Sequence, residues 1–225
     1  MSNLYIRGIV MNVVGIALML VCLFLPAGTL DYWQGWALFG VFMGGSLVVG
    51  LYLFFYDREL LKRRMNLGPA AETEPAQKII VVLIILSFIA LPIFAVFDHR
   101  FGWSPMPTYV SIIGDALISL AFVIFVFVLK QNTYGASTIQ VEEGQTVVST
   151  GLYAYVRHPM YAGALIMVIG IPIALGSWWG LFFLLFTTPV LAWRLLDEER
   201  FLRKNLTGYT AYTEKVHYRL VPCVW

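Results

Sequence analysis

An all-α, polytopic membrane protein is the fold class that this sequence predicts, and three observations predict it. Sixty per cent of the 225 residues are hydrophobic and 12% charged, and a mean hydropathy of +0.78 is far from that of a soluble domain. Four apolar runs within residues 1–130 are each long enough to cross a bilayer. Fourteen of the fifteen Lys and Arg residues fall on one side of the alternation that these runs impose.

The first run, residues 9–25, is interrupted only by Asn12 and closed by Pro26-Ala27-Gly28. It lacks the small-residue cleavage pattern of a secreted precursor, so it is expected to be a retained span. Trp33 and Trp36 mark an interface before the second span, 37–56. Residues 57–78 carry Arg58, Lys62, Arg63, Arg64 and Lys78 among the breakers Gly68-Pro69 and Pro75. That pattern predicts an interfacial helix with its cations on lipid headgroups, then an irregular loop. The third span, 79–97, holds Pro92 late enough to kink it rather than end it. A loop over 98–108 leads to the fourth, 109–129, with Asp115 about two turns in. An acid inside a span is a functional candidate, and one near a helix start also serves as an interfacial hydrogen-bonding group.

Residues 131–149 are polar, and 138–141 and 146–149 flank Glu142-Glu143-Gly144-Gln145 as a small hairpin or a pair of extended strands. An apolar helix over 159–175, a turn at 176–180 and a longer helix over 181–204 then make a helical hairpin. The tail, with Tyr209, Tyr212, His217, Tyr218 and Arg219, is amphipathic and is expected on the membrane surface. Residues 1–130 thus form a four-span region on the side of a lipid substrate, and 131–225 a second region. Arg7, the cations of 57–78, Lys130, Arg157 and the six from Arg194 to Arg219 oppose Arg100 alone, which predicts both termini in the cytoplasm.

A net charge of +2 is too small to argue for nucleic acid. Cys22 and Cys223 form no CxxC pair and have no adjacent His, which speaks against a disulfide or zinc, and Cys223 stands too near the end for prenylation.

Chemistry concentrates at residues 151–163, GLYAYVRHPMYAG. Proline favours the first helical turn and pushes its predecessor out of the α region, so His158 is expected to be extended and Pro159 to open a helix. The free N–H groups of that first turn, with Arg157 and His158, make either an anion site or an interfacial helix cap. A helix rises about 1.5 Å per residue, so the returning arm regains the starting level near Asp197-Glu198-Glu199. A carboxylate pair therefore meets Arg157 and His158 at one mouth, and Arg194 can pair with Glu198 at i,i+4. Such a set suits a ligand carrying both signs of charge, or a structural ion-pair knot.

Gly151-x-Tyr153, Val156-Arg157-His158-Pro159-Met160-Tyr161-x-Gly163, Glu198-Glu199-x-x-Leu202, Tyr209-x-x-Tyr212 and Tyr218-Arg219-x-x-Pro222 together resemble the isoprenylcysteine carboxyl methyltransferase and phospholipid methyltransferase family. The resemblance covers about residues 132–225, and Gln145 matches the family's approach to the site. It implies S-adenosylmethionine held by Gln145, Gly151, Tyr153, His158, Pro159, Tyr161, Gly163, Glu198, Glu199 and Tyr212. It also implies a lipophilic or prenylated acceptor entering from the bilayer. The charge chemistry adds Arg157, Arg194 and Arg219 as the cations that can place a carboxylate acceptor, and Glu198 as a base for an amine.

The side-chain chemistry agrees with that cofactor: its carboxylate suits helix N–H groups and cations, its ammonium and sulfonium suit carboxylates, and tyrosine faces can pack on adenine or sulfonium. A carboxylate acceptor needs only an Arg to place it, whereas a phospholipid amine needs a base such as Glu198 or Glu199. An NADPH-dependent membrane reductase acting on sterol-like lipids is the alternative enzyme, although no Gly-rich phosphate loop is present. A transporter would call for a midplane charge path, which the sequence does not offer.

Overall fold

The computed structural model describes residues 2–72 and 74–225, with side chains from residue 8 onward. Arg7, counted above among the cytoplasmic cations, has its side chain outside the described residues. Among the described residues eight α-helices follow one another: α1 (Ser2–Ala27), α2 (Trp33–Tyr56), α3 (Arg58–Met65), α4 (Pro75–Phe101), α5 (Thr108–Gln131), α6 (Pro159–Ala174), α7 (Leu184–Asn205) and α8 (Tyr209–Lys215). Five stretches of the described residues are long and apolar enough to cross a membrane: Gly8–Ala27, Trp33–Tyr56, Pro75–Phe101, Thr108–Gln131 and Trp179–Asn205. The chain is a polytopic helical membrane protein. At 16 residues α6 rises only about 24 Å, shorter than the roughly 30 Å hydrocarbon core.

The core joins α1, α2, α4, α5 and α6 through Leu23, Leu38, Leu91, Ala95, Ile118, Ala121, Val168 and Ile171. Small residues set the close approach of α5 to α6. A Cβ on Gly114 would stand 2.2 Å from the backbone nitrogen of Ala174, so no larger residue fits there without separating the helices.

Two expectations are corrected. α4 does not stop at Phe97 but continues to Phe101, where Gly102 closes it in the left-handed conformation at φ 63°. The reason is Asp98, fully buried and hydrogen-bonded by the Ser104 and Ser177 hydroxyls and the Trp179 N–H, which makes it part of the packed helix end. Residues 138–149 form no strand pair, and no strand occurs among the described residues. A turn closes there instead, with the Gln145 N–H on the Glu142 carbonyl at 3.1 Å and the Glu142 N–H on Gln145 Oε1 at 3.0 Å. Val141 and Val147 on its two arms pack against α8 and its neighbours rather than against a partner strand.

The helix ends bearing α3, the 132–158 segment, the last turns of α7, α8 and the tail meet at one end of the bundle. Arg63 and Arg64 of α3 donate to the carbonyls of Thr133 and Gly135 at 3.0 and 2.8 Å.

Candidate active site

Pro159 opens α6 at its first position, and His158 before it lies outside the α region as expected but, at φ −128°, ψ 64°, short of the fully extended backbone. The freed backbone of this corner is taken up by the tail: Arg157 N–H donates to Tyr218 O at 2.9 Å and His158 N–H to Arg219 O at 3.0 Å. The side chains then turn toward α7. Arg157 Nε donates to Glu199 Oε1 at 2.7 Å, and its Nη1 reaches the Val216 and His217 carbonyls. Arg219 Nε donates to Glu199 Oε2 at 3.1 Å, and His158 Nε2 lies 3.2 Å from Oε1. An ionised carboxylate can only accept, so Nε2 carries the hydrogen. Glu199 is 4% exposed and is shared by three basic side chains, which ties α6, α7 and the tail together.

Glu198 points elsewhere. Successive helical residues are rotated by about 100°, and Glu198 turns into a cavity of about 440 Å³, where its carboxylate accepts the Tyr161 hydroxyl at 2.6 Å. The cavity wall includes Gln145, Tyr153, Arg157, His158, Tyr161, Arg194, Glu198 and Tyr212. Gly151, Pro159, Gly163, Glu199 and Arg219 stand off that wall. Gly151 is a left-handed turn at φ 60° whose missing Cβ makes room for the Gln131 side chain. Gly163 receives α5: a Cβ there would meet the Phe125 ring at 2.8 Å.

The expected Arg194–Glu198 pair does not form. Arg194 Nη2 donates to Glu72 Oε1 at 2.6 Å and to the Ser137 carbonyl at 3.2 Å, and Nη1 donates to Gln77, which also holds Asp197. Glu72 lies 122 residues away in sequence, buried and within reach, and it takes the charge that the i,i+4 spacing offered to Glu198.

Aromatic hydroxyls line the same space. Tyr153 accepts from Asn132 Nδ2 at 3.0 Å, and its carbonyl accepts the Tyr212 hydroxyl at 2.7 Å. Burial pushes the Tyr153 hydroxyl up to about 12, against the opposing Asn132 hydrogen bond, and burial also raises Tyr209 and Tyr212. All three therefore stay protonated donors at neutral pH.

Sequence reasoning missed Arg64, Glu72 and Asn132. The local pattern places Arg64 with the headgroup cations of 57–78, yet its half-buried side chain lines the cavity, with Nη1 on the Gly135 carbonyl and 3.5 Å from Met160 Sδ. Burial lowers its pKa from the ordinary Arg value. Nothing in the local run Lys62-Arg63-Arg64 distinguishes the one that turns inward. Asp115 lies off the cavity wall, with a buried Oδ1 that no described group bonds.

Residues 109–207 match the model of a family described as phospholipid methyltransferase. That segment contains α5, α6, α7, the RHP corner and both glutamates, and stops before α8 and the tail. Over 94 residues the chain is 33% identical to the Delta(14)-sterol reductase TM7SF2 of Mus musculus, an alignment covering 40% of this chain and 22% of that protein. The chain thus spans under a quarter of that relative's length.

Proposed function

We propose, from the match of residues 109–207 to the phospholipid methyltransferase family, that this chain is an integral membrane methyltransferase using S-adenosylmethionine, and that its acceptor is a lipophilic carboxylate. The observation that carries this reading is Glu198. Among the described residues its carboxylate accepts one hydrogen bond, from the Tyr161 hydroxyl, and it faces a cavity whose size falls within the usual range for small-molecule sites. A cationic ligand group is what such a carboxylate and its surrounding tyrosine faces suit best.

The donor set fits this cofactor. Glu198 would hold its ammonium or ribose hydroxyls, the first-turn N–H groups of α6 and His158 its carboxylate, and Tyr153, Tyr161 and Tyr212 its sulfonium and base. When bound, it supplies a methyl group on a positively charged sulfur. The work left to the chain is positioning and exclusion of water. Glu199 holds Arg157, His158 and Arg219 in place, and so fixes both the start of α6 and the tail that closes over it. The cluster of Leu206, Tyr209, Tyr212 and Val216 with Val141 and Val147 supplies the apolar cover. A phospholipid amine acceptor is the alternative; it would need Glu198 to take a proton. The site and both termini are read as cytoplasmic from the distribution of cations.

The partial identity to a sterol reductase supports a second reading, an NADPH-dependent reductase. The charge inventory favours the first. A phosphorylated dinucleotide needs several uncommitted cations, whereas Arg157 and Arg219 are held by Glu199 and Arg194 by Glu72. Thermal unfolding in detergent with S-adenosylhomocysteine or NADP separates the two. A ligand at a hundred times its Kd stabilises the folded state by about 2.7 kcal/mol. Stabilisation by S-adenosylhomocysteine alone is expected, and stabilisation by NADP alone would replace this reading with the reductase.

A further inference from the structure

The walls of the polar cavity are held with unequal strength. Its apolar side is helix, with Val81 and Phe88 of α4 and Leu191 of α7. The corner before α6 is tied to the tail by the Arg157 and His158 N–H groups and by the buried Glu199 cluster, and the loop after α3 is tied by the buried Arg194–Glu72 pair. Residues 138–149 make another wall, with Ile139, Gln145 and Val148 among the lining side chains. Among the described residues no backbone group of 138–149 bonds to the rest of the chain. The two bonds its backbone does make are internal, those of the Glu142–Gln145 turn. Each of these twelve residues is also at least partly exposed, so no buried anchor stands among them.

The two ends of this strap are pinned by contrast. Arg64 donates to the Gly135 carbonyl at 2.8 Å and accepts the Ser137 hydroxyl on its own carbonyl at 3.0 Å. At the far end Gly151 turns in the left-handed conformation, and the Leu152 N–H donates to Gln131 Oε1 at 2.9 Å. Between the pins two fastenings hold the strap down. Val141 and Val147 pack on the cluster of Leu206, Tyr209, Tyr212 and Val216, and Glu142 Oε1 pairs with Arg63 Nε of α3 at 3.4 Å. The two charged side chains are 27% and 35% exposed, a setting in which an ion pair is weak and is weakened further by salt. A segment pinned at both ends and fastened at its middle by one weak pair can swing without unfolding the helices around it.

We propose that residues 138–149 are the door of the polar cavity on its aqueous side, latched by the Arg63–Glu142 pair, through which a charged, water-soluble methyl donor enters and its spent form leaves. What passes the door rests on the methyltransferase reading; the latch rests on the bonds of the strap itself. A ligand carrying carboxylate and ammonium charges does not arrive across the apolar wall, where each charge would be stripped of water. The corner, the tail and the loop after α3 are each closed by buried ion pairs, which leaves the strap as the wall that yields first. Neither latch residue is on the cavity wall, so the pair closes equally over a filled and an empty site. Loosening it therefore speeds exchange in both directions and moves affinity little. Loss of a direct contact to the ligand would instead fall mainly on dissociation.

The test is the association and dissociation rates of radiolabelled S-adenosylhomocysteine on the full chain in lipid nanodiscs. Glu142→Gln is expected to raise both rates about threefold or more, with Kd within about twofold of the wild type. Raising salt from about 0.05 to about 0.5 M should speed exchange in the wild type and not in Glu142→Gln. Glu142→Lys should be faster still, and adding Arg63→Glu to it, which restores the attraction with the signs exchanged, should return both rates toward the wild type and guards against a folding artefact. Rates unchanged in Glu142→Gln, or a dissociation rate that rises alone, would overturn the door. Cleavage after Glu143 by a glutamyl endopeptidase reports opening with no ligand present, and Arg63→Gln should speed it about threefold or more. If the wild type fails to bind S-adenosylhomocysteine while cleavage still answers to the latch, the methyltransferase reading falls and the door stands. Normal binding with rates and cleavage both indifferent to the latch would spare that reading and sink the door.

Discussion

Glu199 accepts Arg157 Nε at 2.7 Å across 42 residues of chain, while Glu198 beside it accepts the Tyr161 hydroxyl at 2.6 Å and faces the cavity. Two adjacent carboxylates thus have different work. Glu199 is expected to be a stability residue: Glu199→Gln leaves two guanidiniums and an imidazole without their counter-charge in a buried setting. Removing one member of such a cluster costs about 3–5 kcal/mol. Glu198→Gln keeps a group that can accept from Tyr161, so it should unfold within about 1 kcal/mol of the wild type. It should instead lose roughly ten- to a hundredfold in S-adenosylhomocysteine affinity, the worth of one charge-assisted contact. Thermal unfolding and calorimetry on the two variants check this, and equal stability of the two would refute the division of labour.

Orientation can be read from the two native cysteines. Cys223 is exposed in the tail, and Cys22 is buried within α1. A membrane-impermeant maleimide should therefore label Cys223 alone, and only from the cytoplasmic face. The cation distribution carries that expectation. Labelling from the opposite face would invert the topology and remove the site from a cytosolic cofactor.

The spans were legible because hydropathy sums over some twenty residues and tolerates local error. The end of α4 was not, since Asp98 and Arg100 look like loop residues until Ser104 and Ser177 are seen to enclose the acid. The meeting of the RHP corner with Glu198 and Glu199 was legible because helix rise alone sets the level of a returning arm. Which glutamate faces the cavity was not, because that depends on where the tail brings Arg219. Arg194 was misassigned for a related reason: local spacing offered Glu198, and the fold supplied Glu72 from the 57–78 loop. Gly163 sits within the motif, and its space is filled by Phe125 and Ile124.

The acceptor's chemistry should show in the pH dependence of methylation at saturating cofactor. A carboxylate nucleophile has a pKa near 4, so it is fully ionised from about pH 6.5 to 9 and its rate should be nearly flat there. The site adds no break within that window from its outer tyrosines. Tyr153 is pushed up to about 12, and burial raises Tyr209 and Tyr212, so each keeps its proton throughout. Arg64 stays charged as well, because even a lowered guanidinium remains protonated in this range. An amine nucleophile must lose a proton before it attacks, and its rate should climb about tenfold per pH unit until the amine or its base has titrated. The measurement uses labelled cofactor with one lipid of each kind, in the wild type and in Glu198→Gln. A flat profile that persists in Glu198→Gln at saturating cofactor fits a carboxylate acceptor. A rising profile with activity abolished in Glu198→Gln would make Glu198 the base and the chain a phospholipid N-methyltransferase.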